Sequence, residues 1–94
     1  MKDACELRLG SLEMLKEQIE RRGVERVLCN RNDMTRRNLH AALNFAQNGD
    51  LERDMINPDL QAVLNDLNSE DAGSRILGLI RIAITQINER MPKE

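Results

Sequence analysis

Apolar residues recur along this chain every three or four positions, which is the period of an α-helix. No stretch alternates between apolar and polar residues in the way of a half-buried strand. Near the N-terminus, a turn of about 100° per residue places five apolar residues on one face: Cys5, Leu9, Leu12, Leu15 and Ile19. We therefore predict a first helix from about Asp3 to Arg22, ended by Gly23.

The middle of the chain predicts two more helices. A short one runs from Val24 to about Cys29, and the polar residues 30–33 interrupt the pattern. The next helix is predicted to begin with Thr35 as its cap and to end at residues 48–49. Met34 and Leu39 are spaced as a hydrophobic staple across that cap. The predicted buried face of this helix consists of Leu39, Ala42, Leu43 and Ala46.

After a polar connector at residues 50–56, Asn57 and Pro58 form a strong start signal for a fourth helix. Its apolar stripe is Leu60, Val63, Leu64 and Leu67. A last helix is predicted to start in the same way at residues 69–71 and to close at Pro92. Its apolar residues cover about 160° of the circumference: Ile76, Leu77, Leu79, Ile80, Ala83, Ile84, Ile87 and Met91.

The fold class that follows is all-α, with residues 1–94 as a single domain. We expect a compact bundle of four to five helices. The wide apolar arc of the last helix exceeds what one neighbouring helix covers, so this helix lies either at the centre of the bundle or at a homodimer seam. A domain of this size buries only about 60–65% of its unfolded surface, so a partner or a second copy would stabilise it.

Composition narrows the class of function. Phe45 is the only aromatic residue, which argues against stacking platforms for sugars or single-stranded nucleic acids. No apolar run is long enough for a membrane span, and the N-terminus has no signal-peptide pattern. We expect a cytoplasmic protein with no membrane partner, in which Cys5 and Cys29 are reduced thiols.

Catalytic chemistry has little support in the sequence. His40 is the only histidine, and we expect it to face solvent on its helix. The acidic residues close enough in sequence to form a carboxylate pair belong to a polar connector or to the helix start after it: Asp50, Glu52, Asp54 and Asp59. The five glycines are isolated, and the cysteines and histidine lack metal-ligand spacing. The prediction is a non-enzyme with no cofactor, no metal and no small-molecule substrate.

Binding to a protein partner is the function that the apolar pattern favours. Leu7 and Met14 point away from the predicted core face of the first helix, and the wide arc of the last helix adds further candidates for an interface. The predicted interface residues are Leu7, Met14, Ile80, Ile82 and Ile84. We expect a small regulatory, adaptor or inhibitor protein that binds stoichiometrically and self-associates as a homodimer. Small bacterial and phage regulators commonly have such compositions, although size and fold do not fix function.

A DNA-binding regulator is the alternative. Residues 21–40 contain six arginines against Glu25 and Asp33, a basic segment in an acidic protein. Within residues 24–46, the stretch 34–43 resembles the turn and recognition helix of a helix-turn-helix protein, although Asn32 and Asp33 depart from its pattern. The resemblance implies contacts of α-helical side chains with double-stranded DNA. The candidate contact residues are Arg31, Arg36, Arg37, Asn38 and His40.

Overall fold

The computed structural model describes residues 2–28, 33–49 and 56–91. These residues form a compact arrangement of five α-helices without a strand, as the hydrophobic pattern predicts. The helices are α1 (Lys2–Arg22), α2 (Val24–Val27), α3 (Asp33–Asn48), α4 (Pro58–Leu64) and α5 (Ala72–Arg90). None of these described helices is both long and apolar enough to cross a membrane.

The first helix ends where its sequence predicts. Gly23 follows Arg22 with a φ of +88°, in the left-handed region that favours glycine. Its N–H donates to the carbonyl of Ile19 at 2.9 Å, which satisfies one of the carbonyls left free at the end of α1. The chain then turns directly into α2, which packs against α1.

The start of α3 differs from the prediction. This helix begins at Asp33, so Thr35 lies inside it rather than at its cap. Met34 is 66% exposed, and the predicted staple to the buried Leu39 is therefore wrong. The predicted buried face is correct but too narrow, because every residue from 39 to 46 is buried. A helix buried without interruption over two turns is covered on all sides.

The start of α4 is the predicted one. The Asn57 side chain accepts a hydrogen bond from the Leu60 N–H at 3.1 Å, and Pro58 is the first helical residue. This helix ends at Leu64, so Leu67 lies in the turns before α5. Asp71 precedes α5 but makes no side-chain cap; it accepts a hydrogen bond from the Ser69 hydroxyl instead.

The last helix lies at the centre of the bundle, the first of the two positions predicted for it. It packs against each of the other four helices and buries Ile76, Ile80 and Ile87 completely. Its final residue, Arg90, also supports α3. The guanidinium donates to the carbonyls of Ala46 and Gln47 at 3.0 and 3.1 Å. Its positive charge stabilises the C-terminal end of α3, which has no basic residue in its own last turn.

Candidate protein-binding surface

A groove of about 410 Å³ runs between α1 and α3. We call it the α1–α3 groove; its lining residues are Leu7, Arg8, Ser11, Met34, Arg37, Asn38 and Ala41. Leu7 and Met34 are 65% and 66% exposed, so two large apolar side chains from separate helices border the same depression. Arg8 and Arg37 add positive charge beside them.

The apolar surface continues along α1 beyond the groove. Leu7 and Met14 are about 20° apart on the helix and two turns, about 10 Å, apart along it. Met14 is 58% exposed, and the exposed Gly10 lies between the two. A Cβ added to Gly10 would meet no atom within 4 Å. We call Leu7, Gly10 and Met14 the α1 strip.

Charges of opposite sign flank the α1 strip. On the groove side lie Arg8 and Arg37. On the other side, helical periodicity aligns four exposed glutamates: Glu6, Glu13, Glu17 and Glu20. Lys16 lies beside the last three of them, and Glu17 pairs with Arg21 at 3.5 Å. The strip therefore separates an acidic flank from a basic one.

The two adjacent arginines of α3 point to different parts of the molecule. The Arg36 Nε donates to the carbonyl of Leu28 at 2.8 Å, which ties the first turn of α3 to the end of α2. Arg37 is exposed and lines the α1–α3 groove. In the sequence the two arginines form one basic pair. In the structure Arg36 is bonded to the backbone of Leu28, whereas Arg37 is exposed at the surface.

His40 is buried, so the expectation that it faces solvent is wrong. Its Nδ1 accepts a hydrogen bond from the backbone N–H of Asn57 at 3.0 Å. Burial, reinforced by the positive charge of Arg36, lowers the pKa of His40 below its usual value of 6.5. A buried imidazole that already accepts a hydrogen bond is not available to read a base edge. Arg31 lies outside the described residues, and Asn38 is exposed in the groove.

The interface candidates on α5 have different environments. Ile80 is completely buried in the chain's own core, so its assignment to a contact surface is corrected. Ile84 is partly buried against that core. Ile82 is 59% exposed and borders a separate shallow groove between α4 and α5. Met34, which the sequence offers both as half of a staple and as a weak pointer to a contact surface, is exposed in the α1–α3 groove.

Within the described parts of the chain, no group of three histidine, cysteine or carboxylate side chains is arranged to hold a metal ion. Cys5 is a buried free thiol in the core. Asp59 accepts a hydrogen bond from Gln47 at 3.3 Å on the surface. Cys29, Asp50, Glu52 and Asp54 lie outside the described residues.

The function of this surface is inferred from its own geometry and chemistry. No protein-family model matches the chain, and no match was found among curated proteins or solved structures.

Proposed function

We propose that this protein is a small non-enzymatic regulator or adaptor that binds a protein partner stoichiometrically through the α1–α3 groove. The observation that carries the proposal is the convergence of Leu7 and Met34, both about two-thirds exposed, at a depression that also contains Arg37. Methionine and arginine are both enriched where proteins bind one another. Single exposed apolar residues would carry no such meaning.

The groove suits a particular kind of contact. An apolar side chain placed between Leu7 and Met34 would remove apolar area from water on both partners, which stabilises a complex by roughly 25 cal/mol per Å² before the costs of association. A carboxylate beside it would pair with Arg37 at the rim. Such a charge contributes mainly to the association rate and to the choice of partner.

A comparison of two surface substitutions tests the proposal. Affinity-tagged protein carrying Leu7→Glu should lose its stoichiometric partner when purified from the cells that naturally make it, because a carboxylate replaces one of the two large apolar side chains at the groove. Ile82→Glu is the matched control, since Ile82 is similarly exposed on α5. Retention of the partner by both variants, with helicity unchanged by circular dichroism, would contradict the proposal.

Recognition of double-stranded DNA by α3 has weaker support. Arg37 and Asn38 are exposed on its first turns, but Arg36 is tied to Leu28 and residues 39–46 are buried. A recognition helix needs an open face along the major groove. We expect no salt-sensitive binding to mixed-sequence duplex DNA in a fluorescence anisotropy titration. Binding that strengthens at low salt and is weakened by Arg37→Ala would favour the DNA-binding alternative.

A further inference from the structure

We infer that the occupant of this surface is a second copy of the chain, with the two α1 helices packed in parallel around a two-fold axis. The inference rests on the proposed function, since it uses the same groove and names what fills it. Three properties of α1 and its surroundings lead to it: the spacing of its exposed apolar residues, the open glycine between them, and the signs of the charges on its flanks.

The spacing of the α1 strip suits helix-helix packing. Leu7 and Met14 are seven residues apart, the interval at which apolar positions of two parallel helices meet. Gly10 lies between them with open space above it. Glycine inside a helix is destabilising by about 0.5–1 kcal/mol relative to alanine, and no contact within the described chain requires its small size here. A second backbone approaching at Gly10 would require it.

The charges on the two flanks of the α1 strip favour a second copy as the partner and a parallel arrangement of the two α1 helices. In a two-fold pair of parallel helices, opposite flanks of the two strips meet, whereas in an antiparallel pair like flanks meet. The parallel arrangement therefore brings the glutamates of each copy, Glu6 and Glu13 above all, towards Arg37 of the other. The antiparallel one would bring the acidic flanks together, and like charges repel.

A single surface holds both halves of this complementarity. Each copy supplies the apolar strip, the acidic flank and the basic groove, which is what a two-fold interface requires, because it joins the same patch on both subunits. A different protein would have to provide a strip with the same order of charges. A second copy of the chain has this strip and this order of charges because its sequence is identical.

Disulfide trapping tests the arrangement. Leu7→Cys and Met14→Cys are made separately in a Cys29→Ser background, and Cys5 is retained because it is buried. In the parallel dimer each variant should form a disulfide-linked homodimer under mild oxidation, since each residue meets its own symmetry mate. The background protein without the new cysteines is the control. Crosslinks that form only when the two variants are mixed would indicate an antiparallel pair and overturn the inferred arrangement.

A charge-reversal series tests the flanks independently. Glu13→Arg should raise the dimer dissociation constant at least tenfold in sedimentation equilibrium, and adding Arg37→Glu should restore most of the lost affinity. Glu70→Arg is the matched control, because Glu70 is an exposed glutamate beside the Arg22 end of α1, more than two helical turns beyond Met14. An unchanged dissociation constant in Glu13→Arg would overturn the charge pairing.

The outcomes separate this inference from the proposed function. A chain that stays monomeric in sedimentation equilibrium and forms none of the disulfides overturns the homodimer. If Leu7→Glu still releases a co-purified partner from that monomer, the groove binds a different protein and the proposed function stands. If the chain is monomeric and Leu7→Glu releases nothing, both fail.

Discussion

Asn57 links α3 and α4 through its buried side chain and its own backbone. Its side chain accepts from the Leu60 N–H and donates to Asn44 Oδ1 at 2.9 Å and to Gln47 Oε1 at 3.1 Å. Its backbone N–H donates to His40. Among the described residues, no buried side-chain nitrogen or oxygen is left without a hydrogen bond. Helix α4 is therefore joined to α3 by polar contacts as well as by apolar packing.

Replacing Asn57 by alanine should reduce the free energy of unfolding by about 2–4 kcal/mol. The substitution removes a helix cap, worth about 1 kcal/mol, and takes away the amide that donates to the buried Oδ1 of Asn44. Chemical denaturation followed by circular dichroism measures the change. Asn65→Ala is the control, because Asn65 is exposed and its side chain accepts a surface hydrogen bond from Gln61. A loss below 1 kcal/mol in Asn57→Ala would show that this cluster does not stabilise the fold.

Stability should depend on pH through His40. Because burial and Arg36 lower its pKa, the folded protein keeps the imidazole neutral while the unfolded chain titrates near 6.5. The unfolded state therefore binds more protons just below this pH. The free energy of unfolding should be highest above pH 6.5 and should fall as the pH drops towards the lowered value of the folded state.

The measurement is a series of denaturant titrations between pH 5.5 and pH 7.5, since the carboxylates titrate mostly below this range. His40 is the only histidine in the chain, so His40→Gln should flatten the curve even though it lowers stability. A wild-type curve that rises as the pH falls from 7 to 5.5 would contradict the assigned direction of the pKa shift.

At the scale of the elements, one contact between α3 and the end of α2 gives two adjacent arginines of the basic segment different environments. The Arg36 side chain is partly buried and fixes α3 against the carbonyl of Leu28, whereas Arg37 extends into the α1–α3 groove. The contact between residues 28 and 36 is not visible in the local sequence, which presents two adjacent arginines alike.

Arg36→Ala should therefore destabilise the fold by about 1–2 kcal/mol, since it removes a hydrogen bond from a charged donor to a main-chain carbonyl. Arg37→Ala should change stability by less than about 0.5 kcal/mol, as is usual for surface substitutions. Thermal unfolding of the two variants beside the wild type provides the comparison. Equal losses in both would show that the two arginines have the same role.

At the scale of the whole molecule, two residues of α5 that are two positions apart lie in the core and at the surface. Ile80 is completely buried and Ile82 is 59% exposed, although both are isoleucines near the middle of the same helix. Ile80→Ala should reduce the free energy of unfolding by about 2–5 kcal/mol through lost burial and a cavity. Ile82→Ala should change it by less than about 0.5 kcal/mol. Urea titrations with a common m-value measure both, and a similar loss in the two variants would contradict the central position of α5.

The candidate surface was only partly predictable. Leu7 and Met14 stand out in the sequence because they break the apolar periodicity of α1. Met34 and Arg37 join Leu7 in one groove only because α3 packs beside α1. His40 has the spacing of a surface residue on α3, yet it is buried and accepts a hydrogen bond from Asn57, seventeen residues later. Contacts between distant parts of the chain leave no periodic signal in either part.

The sequence by itself determined the all-α class, the end of α1 at Gly23, the cap of α4 at Asn57 and the apolar weight of α5. These features depend on helical periodicity and on backbone chemistry within a few residues, both of which are local. Only the tertiary structure decided that α5 is central, that α3 is covered on all sides over two turns, and that Arg36 and Arg37 separate. Each of these depends on which helix faces become neighbours, and that is fixed by packing the whole set of apolar faces at once.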